Sequence, residues 1–381
     1  MSALLRSFRR TLRRIVGDKD TLVLFVGASV LYALFYPTPY MKQVLRKLPV
    51  VVVDQDHTAL SRQLTRWLDA SESARVTARI DDLDAAQDSL RSRAAGAVLL
   101  FPKGFERHLL RQEPAYVEAY ADASYLLVYS TALRAINGVV GTLSAGVSVR
   151  RMQAAGLTTQ AALKRAQPVT FVPWPLFNPL GGYASFVVPA VFILILQQTL
   201  LIGVGALRVA ERHGEPEQEP PWAILGGKLG ATVLIYLGQA AFMFAVVFRL
   251  YGFPMRADWL DVVIFLVPYF AAVTLLGLVI AQLFDRPESS TVALALASLP
   301  ALFMSGMSFP SEVQAGWVRT LAVLLPSTFG IQGFLQLAEM GARLDQTLRA
   351  WGALWIQVVA YWTLAWLILR YKGRSPQLPV S

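Results

Sequence analysis

The sequence predicts an α-helical integral membrane protein with six transmembrane helices and an α/β domain inserted, on the extracytoplasmic side, between the first two. Three observations predict it. Of 381 residues, 55% are hydrophobic and only 16% are charged, against about 25% charged in an ordinary soluble domain. The apolar residues are bunched into uninterrupted runs of the length a bilayer core demands, about 20 residues. Between the first two runs, residues 42–168 change texture to short strands and amphipathic helices.

The net charge of +10 does not point to nucleic acid. Its cations flank the apolar runs, with Arg6, Arg9, Arg10, Arg13 and Arg14 at one end of the chain and Arg370, Lys372 and Arg374 at the other. No basic stripe interleaved with aromatics runs between them. There is no cysteine, which excludes disulfides, thiol catalysis and thiolate metal sites. His57, His108 and His213 lie far apart in different segments, so neither histidine catalysis nor a metal site is expected, and no cofactor is assigned to this chain.

Residues 1–20 set Leu4, Leu5, Phe8, Leu12, Ile15 and Val16 at helical spacing with arginines between. They read as an amphipathic helix lying in the headgroup layer, its arginines on anionic lipid, or as the basic flank of the first span. Residues 21–41 carry no charge and form that span. Arginines before it and no comparable cluster after it place the N-terminus inside. No small-x-small cleavage site follows, so a retained anchor is expected rather than a signal peptide.

In the domain, 49–54, 74–80, 96–101 and 115–121 read as strands. Residues 58–69, a stretch capped by Asp81 or Asp82 and reaching Arg91, and 103–110 read as helices. Asp54, Asp56 and His57 resemble a metal site, but a strand end followed by an aspartate helix cap accounts for them. Residues 124–164 read as one or two long helices. Part of this stretch is apolar enough to span, but Arg134, Asn137 and three glycines assign it to the domain. A seventh crossing would also put the basic tail outside.

The proline-rich stretch 169–182 is an extended strap back to the membrane. Spans two to six are expected at about 183–207, 224–250, 259–284, 289–309 and 351–371, with a cytoplasmic tail at 372–381. Between the last two spans, Val313, Trp317, Leu321, Leu324 and Leu325 recur at helical spacing before Pro326 interrupts them. Two short helices dipping into the outer leaflet over 312–342 fit this pattern.

The chain has no Gly-x-x-x-x-Gly-Lys-Ser/Thr phosphate loop. Its nearest string, Gly226-Gly227-Lys228-Leu229, lacks the leading glycine and the hydroxyl. The polar residues at membrane depth are neutral: Gln197, Gln198, Gln239, Ser305, Ser308 and Gln357. They line a translocation route or hydrogen-bond helices together.

Four features in order along these spans carry a resemblance. They are Phe177-Asn178-Pro179, then Glu211-Arg212-His213-Gly214 with Gly227-Lys228, then Ser305-Gly306-x-x-x-Pro310, then Pro326-Ser327-Thr328-Phe329. Together they resemble the permease subunits of the type-2 group of ABC exporters. The first span and the Val50 to Leu64 stretch resemble the subgroup with a large extracytoplasmic domain. Extra prolines after Gly214 depart from the family pattern.

The resemblance implies a non-enzymatic permease subunit in the inner membrane, with both termini cytoplasmic. Its implied partners are a cytoplasmic ABC ATPase carrying ATP and Mg, a second permease copy, identical or related, a periplasmic adaptor protein, and membrane lipid. It implies ATPase coupling at Arg208, Glu211, Arg212, Gly214 and Glu215 in the loop 206–221. It implies a translocation pathway along Gln197, Gln198, Gln239, Ser305 and Ser308, and an outer gate at Gly306, Pro310, Trp317, Pro326 and Phe329. The rival readings are a membrane scaffold or receptor whose external domain binds an envelope partner, and a polytopic membrane enzyme. The scaffold leaves the charged loop without a client, and the enzyme lacks clustered catalytic residues.

Overall fold

The computed structural model describes residues 2–166, 174, 176–178, 181–212, 219–284 and 286–372. The chain divides into two compact units, one formed by Met1–Gln43 with Pro175–Ser381 and the other by Val44–Trp174.

Helix α1 (Ala3–Gly17) starts on Ser2, whose hydroxyl accepts from the Leu5 amide, and ends at Asp18, which takes an extended conformation. Asp18 then caps the next helix, α2 (Lys19–Tyr40), by accepting from the amide and hydroxyl of Thr21. These bonds hold the Asp18 carboxyl below its ordinary pKa. One residue therefore ends an amphipathic helix and begins an apolar one.

In the second unit, β1 (Leu48–Asp54), α3 (Ala59–Ala70), β2 (Ala74–Ile80), α4 (Leu83–Arg91), β3 (Ala97–Phe101), α5 (Phe105–Leu110) and β4 (Glu118–Ala121) alternate along the chain. The sheet order is β2-β1-β3-β4, with β1 parallel to both neighbours and β4 antiparallel to β3. Period-two alternation sends Leu48, Val50 and Val52 to one face and Val51 and Val53 to the other. Leu64 and Leu68 of α3 cover the first face, Ala86 of α4 the second.

The cap of α3 is Thr58, paired with Ser61, and not an aspartate. Asp54 instead accepts from the Ser61 hydroxyl and the His57 amide, and Asp56 accepts from the amides of Gly104 and Glu106. Both carboxylates are spent on bracing loops.

Helix α6 (Leu126–Ala154) is long and apolar enough to cross a membrane. Its buried stripe, Ala132, Ala135, Ile136, Val139 and Leu143, joins the core over the first face of the sheet. Helix α7 (Thr159–Ala166) follows.

The first unit continues with α8 (Tyr183–Arg212), α9 (Pro221–Tyr251), α10 (Trp259–Leu283), α11 (Pro287–Leu296), α12 (Ser298–Met304), α13 (Gly316–Ala322), α14 (Pro326–Ala338) and α15 (Leu348–Lys372). Among the described residues, six helices, α6 among them, are long and apolar enough to span. The expected span 289–309 is instead two shorter helices that break at Ala297. Pro300 gives the reason: it has no N–H for the carbonyl one turn back, at Leu296.

Helices α13 and α14 meet at 83°, as expected for a broken pair at Pro326. Helix α8 is the best-buried apolar helix of the unit. Phe192 from it, Phe244 and Phe248 from α9, and Phe334 from α14 pack with ring centroids 4.3–6.3 Å apart. Gly333 of α14 lets that helix close on α10, since a Cβ there would strike the Phe265 ring.

At the end of α14 lies Glu339. One of its carboxylate oxygens is buried without a hydrogen-bond partner among the described residues. Burial pushes its pKa from 4.5 up to about 7, against the pull of Arg256. The folded state then holds this proton more tightly than the unfolded chain, so stability falls as pH rises from about 4.5 through 7. Glu339→Gln should flatten the melting temperature of the detergent-solubilised chain between pH 5 and 8. An unchanged slope would remove Glu339 as its source.

Candidate coupling site

The first unit gathers charge where α1 meets the ends of the loop between α8 and α9. The basic row of α1 is Arg6, Arg10 and Arg14, spaced i, i+4, i+8 on one helix face over about 12 Å. Arg10 Nη2 lies 2.5 Å from Glu219 Oε1, just before α9, and Arg6 Nε lies 3.8 Å from the same oxygen. Arg14 Nη1 donates to Glu211 Oε1 at 3.0 Å, in the last turn of α8. One row of arginines thus holds both ends of the loop.

Glu211 is the hub. Its Oε2 accepts from Lys228 Nζ of α9 and has Arg208 Nη1 at 3.8 Å. The side chains of Glu211 and Lys228 are 4% and 3% exposed, so neither charge is solvated by bulk water. Glu219 is 5% exposed, and its Oε2 has no hydrogen-bond partner among the described residues. Burying these carboxylates is tolerable because three cations surround one and two reach the other.

Close packing sets the arrangement. Ser7, Thr11 and Ile15 are the buried residues of α1, a narrow face of small and β-branched side chains. Ser7 Oγ contacts the Ile224 carbonyl at 3.4 Å, and a Cβ on Gly227 would reach the Phe8 amide nitrogen at 2.6 Å. Glycines 226 and 227 thus let α1 lie against the backbone of α9. Leu5 and Val16 stay exposed, on the side left for lipid. The helix therefore has three faces, and much of the basic one meets protein carboxylates.

Of the sequence-assigned coupling residues, Arg208 and Glu211 come together, and Arg212 ends α8 beside them. Gly214 and Glu215 lie outside the described residues. Sequence reading did not pair Arg6, Arg10, Arg14, Glu219 and Lys228 with this corner. The signal available for it was the i, i+4, i+8 arginine row.

Comparison with known proteins decides the family. The profile of the ABC-2 family transporter proteins matches residues 19–367. The chain belongs to this ABC-2 family. Its similar relatives include the probable multidrug ABC transporter permease YbhR of Escherichia coli K12, 19% identical over 91% of this chain and 92% of that one. They also include the linearmycin resistance permease protein LnrN of Bacillus subtilis 168, 22% identical over 81% and 84%. The protein is an ABC transporter permease, a multi-pass membrane chain resembling non-enzymatic transport subunits.

Elsewhere in this permease, the polar residues assigned to the pathway differ in placement. Gln239 Nε2 donates to the Phe25 carbonyl at 2.7 Å, and its Oε1 accepts from Ser29. It therefore fastens α9 to α2 at a π-helical turn, Val23–Gly27. Ser305 Oγ donates to the Leu302 carbonyl at 2.6 Å, and Ser308 is exposed. Gln197 is fully buried in α8 and, among the described residues, neither of its amide atoms has a hydrogen-bond partner, nor does Gln198 Oε1. Gln357 donates to the Val323 carbonyl at 2.7 Å.

Of the gate residues, Gly306 takes a φ of +82° after α12, and Pro310 is exposed. Trp317 of α13 is 70% exposed. Pro326 starts α14, with Phe329 in its first turn.

Proposed function

We propose that this permease is the membrane subunit of an ATP-driven exporter, and that α1 with the 206–221 loop receives the stroke of a separate ATPase. One observation carries the reading: a single arginine row grips Glu211 and Glu219 at the two ends of the loop. Force applied to the loop reaches α8 and α9 directly. It reaches α2 through α1 and the extended residue Asp18. Glu211 acts inside the chain, and the loop residues beyond it, Gly214 and Glu215 among them, meet the partner.

In this reading the chain sits in the inner membrane with both termini cytoplasmic and the α/β unit outside. A second permease copy completes the pathway, with ATP and Mg held by the ATPase and a periplasmic adaptor as a further partner. Gln197 and Gln198 line the route, and the bent pair α13–α14 with Gly306, Pro310, Trp317, Pro326 and Phe329 forms the outer gate. The names of the two relatives support drug-like compounds as the exported class.

A charge swap tests the grip. Arg10→Glu should lower transport-coupled ATP hydrolysis at least tenfold while the ATPase still co-purifies with the tagged chain. Adding Glu219→Arg should recover most of it. Unchanged coupling in Arg10→Glu would end the role given to α1, and a gently solubilised chain that brings down no P-loop ATPase would end the exporter reading.

A further inference from the structure

We propose that the α/β unit carries a binding site for a small anionic amphiphile, in the groove between α3, α5 and α6. The groove encloses about 350 Å³, within the range of roughly 300–1,000 Å³ that small-molecule sites occupy. Leu60 and Trp67 of α3, Leu109 of α5, and Leu143 and Val147 of α6 give it apolar walls. Two turns further along α6, about 12 Å from Leu143 to Arg151, the lining becomes Arg150 and Arg151.

The two arginines differ. Arg151 Nη2 donates to the Leu109 carbonyl at 3.3 Å, which fixes it at the rim. Arg150 is exposed and has no ion pair among the described residues. Glu106 of α5 is the one carboxylate on the lining, so the guanidiniums outnumber it. An apolar channel with an uncompensated guanidinium at one end matches a ligand with an apolar body and one anionic group. The open wall also has a reason. Gly146 lines the groove, and no atom lies within 4 Å of where its Cβ would stand. A glycine there weakens helix α6 relative to alanine, and what it leaves in exchange is room.

This site is independent of the ATPase coupling above. The test uses the full chain in phosphatidylcholine nanodiscs, with 8-bromooctanoate as probe and heavy-atom quenching of Trp67 as signal. The Trp67 component is the fluorescence missing from Trp67→Phe. Saturable quenching is expected in the unaltered chain. Gly146→Leu should fill the groove and abolish it, while melting at or above the parent temperature. Arg150→Glu, on an exposed position, should raise the half-saturating concentration of 8-bromooctanoate at least tenfold and leave that of 8-bromooctan-1-ol unchanged. No saturable quenching, quenching that survives Gly146→Leu, or equal half-saturation by acid and alcohol in the unaltered chain would each overturn the proposal.

Discussion

Glu211→Gln should be among the most destabilising single substitutions in the membrane unit. Glu211 and Lys228 are almost wholly buried together, and breaking a buried pair from one side costs about 3–5 kcal/mol, because the remaining charge stays buried after losing that carboxylate. Here the cost is compounded. Arg14 and Arg208 lean on the same carboxylate, so its loss leaves three cations facing one another. Lys228→Met should be nearly as damaging in the opposite sense. The double variant Glu211→Leu with Lys228→Met should recover only part of the loss, since apolar packing replaces the Glu211–Lys228 pair at little cost while Arg14 and Arg208 still lose their carboxylate. Thermal melting of the four proteins in one detergent decides the matter. If Glu211→Gln melts with the parent, the hub is not a buried pair. A charge reversal at Glu211 would therefore report on folding before it reported on any partner.

Gly227→Leu should dislodge α1. A Cβ at this position would meet Ser7 Oγ, would reach Ser7 Cβ at 2.5 Å, and would lie 2.6 Å from the Phe8 amide nitrogen. Overpacking usually costs about 1–3 kcal/mol through side-chain shifts. Here the obstruction includes backbone, which cannot rotate away, so the helix itself must move. Its arginines would leave Glu211 and Glu219. Trypsin should then cut at Arg9, Arg10 and Arg13 at least tenfold faster, and ATP hydrolysis should lose its dependence on transported substrate. Gly238→Leu is the control, because it lies on the same helix with nothing within 4 Å of its Cβ. Equal trypsin rates for the two variants would mean that α1 does not rest on Gly227.

The second result, and the Arg14 contact within the first, depend on residues about 200 positions apart in sequence, and this explains what sequence reading could reach. The strand positions were legible because buried apolar runs, as at 49–54 and 96–101, and period-two alternation, as at 74–80, have few other uses between turn signals. Helix α6 reads as part of the domain from Arg134, Asn137 and its glycines, and its stripe from Ala132 to Leu143 is buried in the core over the sheet. The 289–309 run was counted as one continuous span on hydropathy, while Pro300 and the backbone it releases make it two helices. Asp54, Asp56 and His57 read from sequence as a strand end followed by an aspartate helix cap, but the cap belongs to Thr58.

The sequence by itself determined that the chain crosses a membrane, that an α/β unit interrupts it, and to which family it belongs. These follow from local quantities: run length, alternation, capping residues and short motifs. Only the tertiary structure decided what each charge answers to. By sequence the α1 arginines read as a headgroup-layer face or as the basic flank of the first span, and Glu211 as a residue that docks a partner; in the structure Arg10 and Arg14 meet Glu219 and Glu211, and both carboxylates are buried. Electrostatic partners are chosen by distance in space and by shared exclusion of water. Neither quantity exists until Gly226 and Gly227 have let α1 settle on α9.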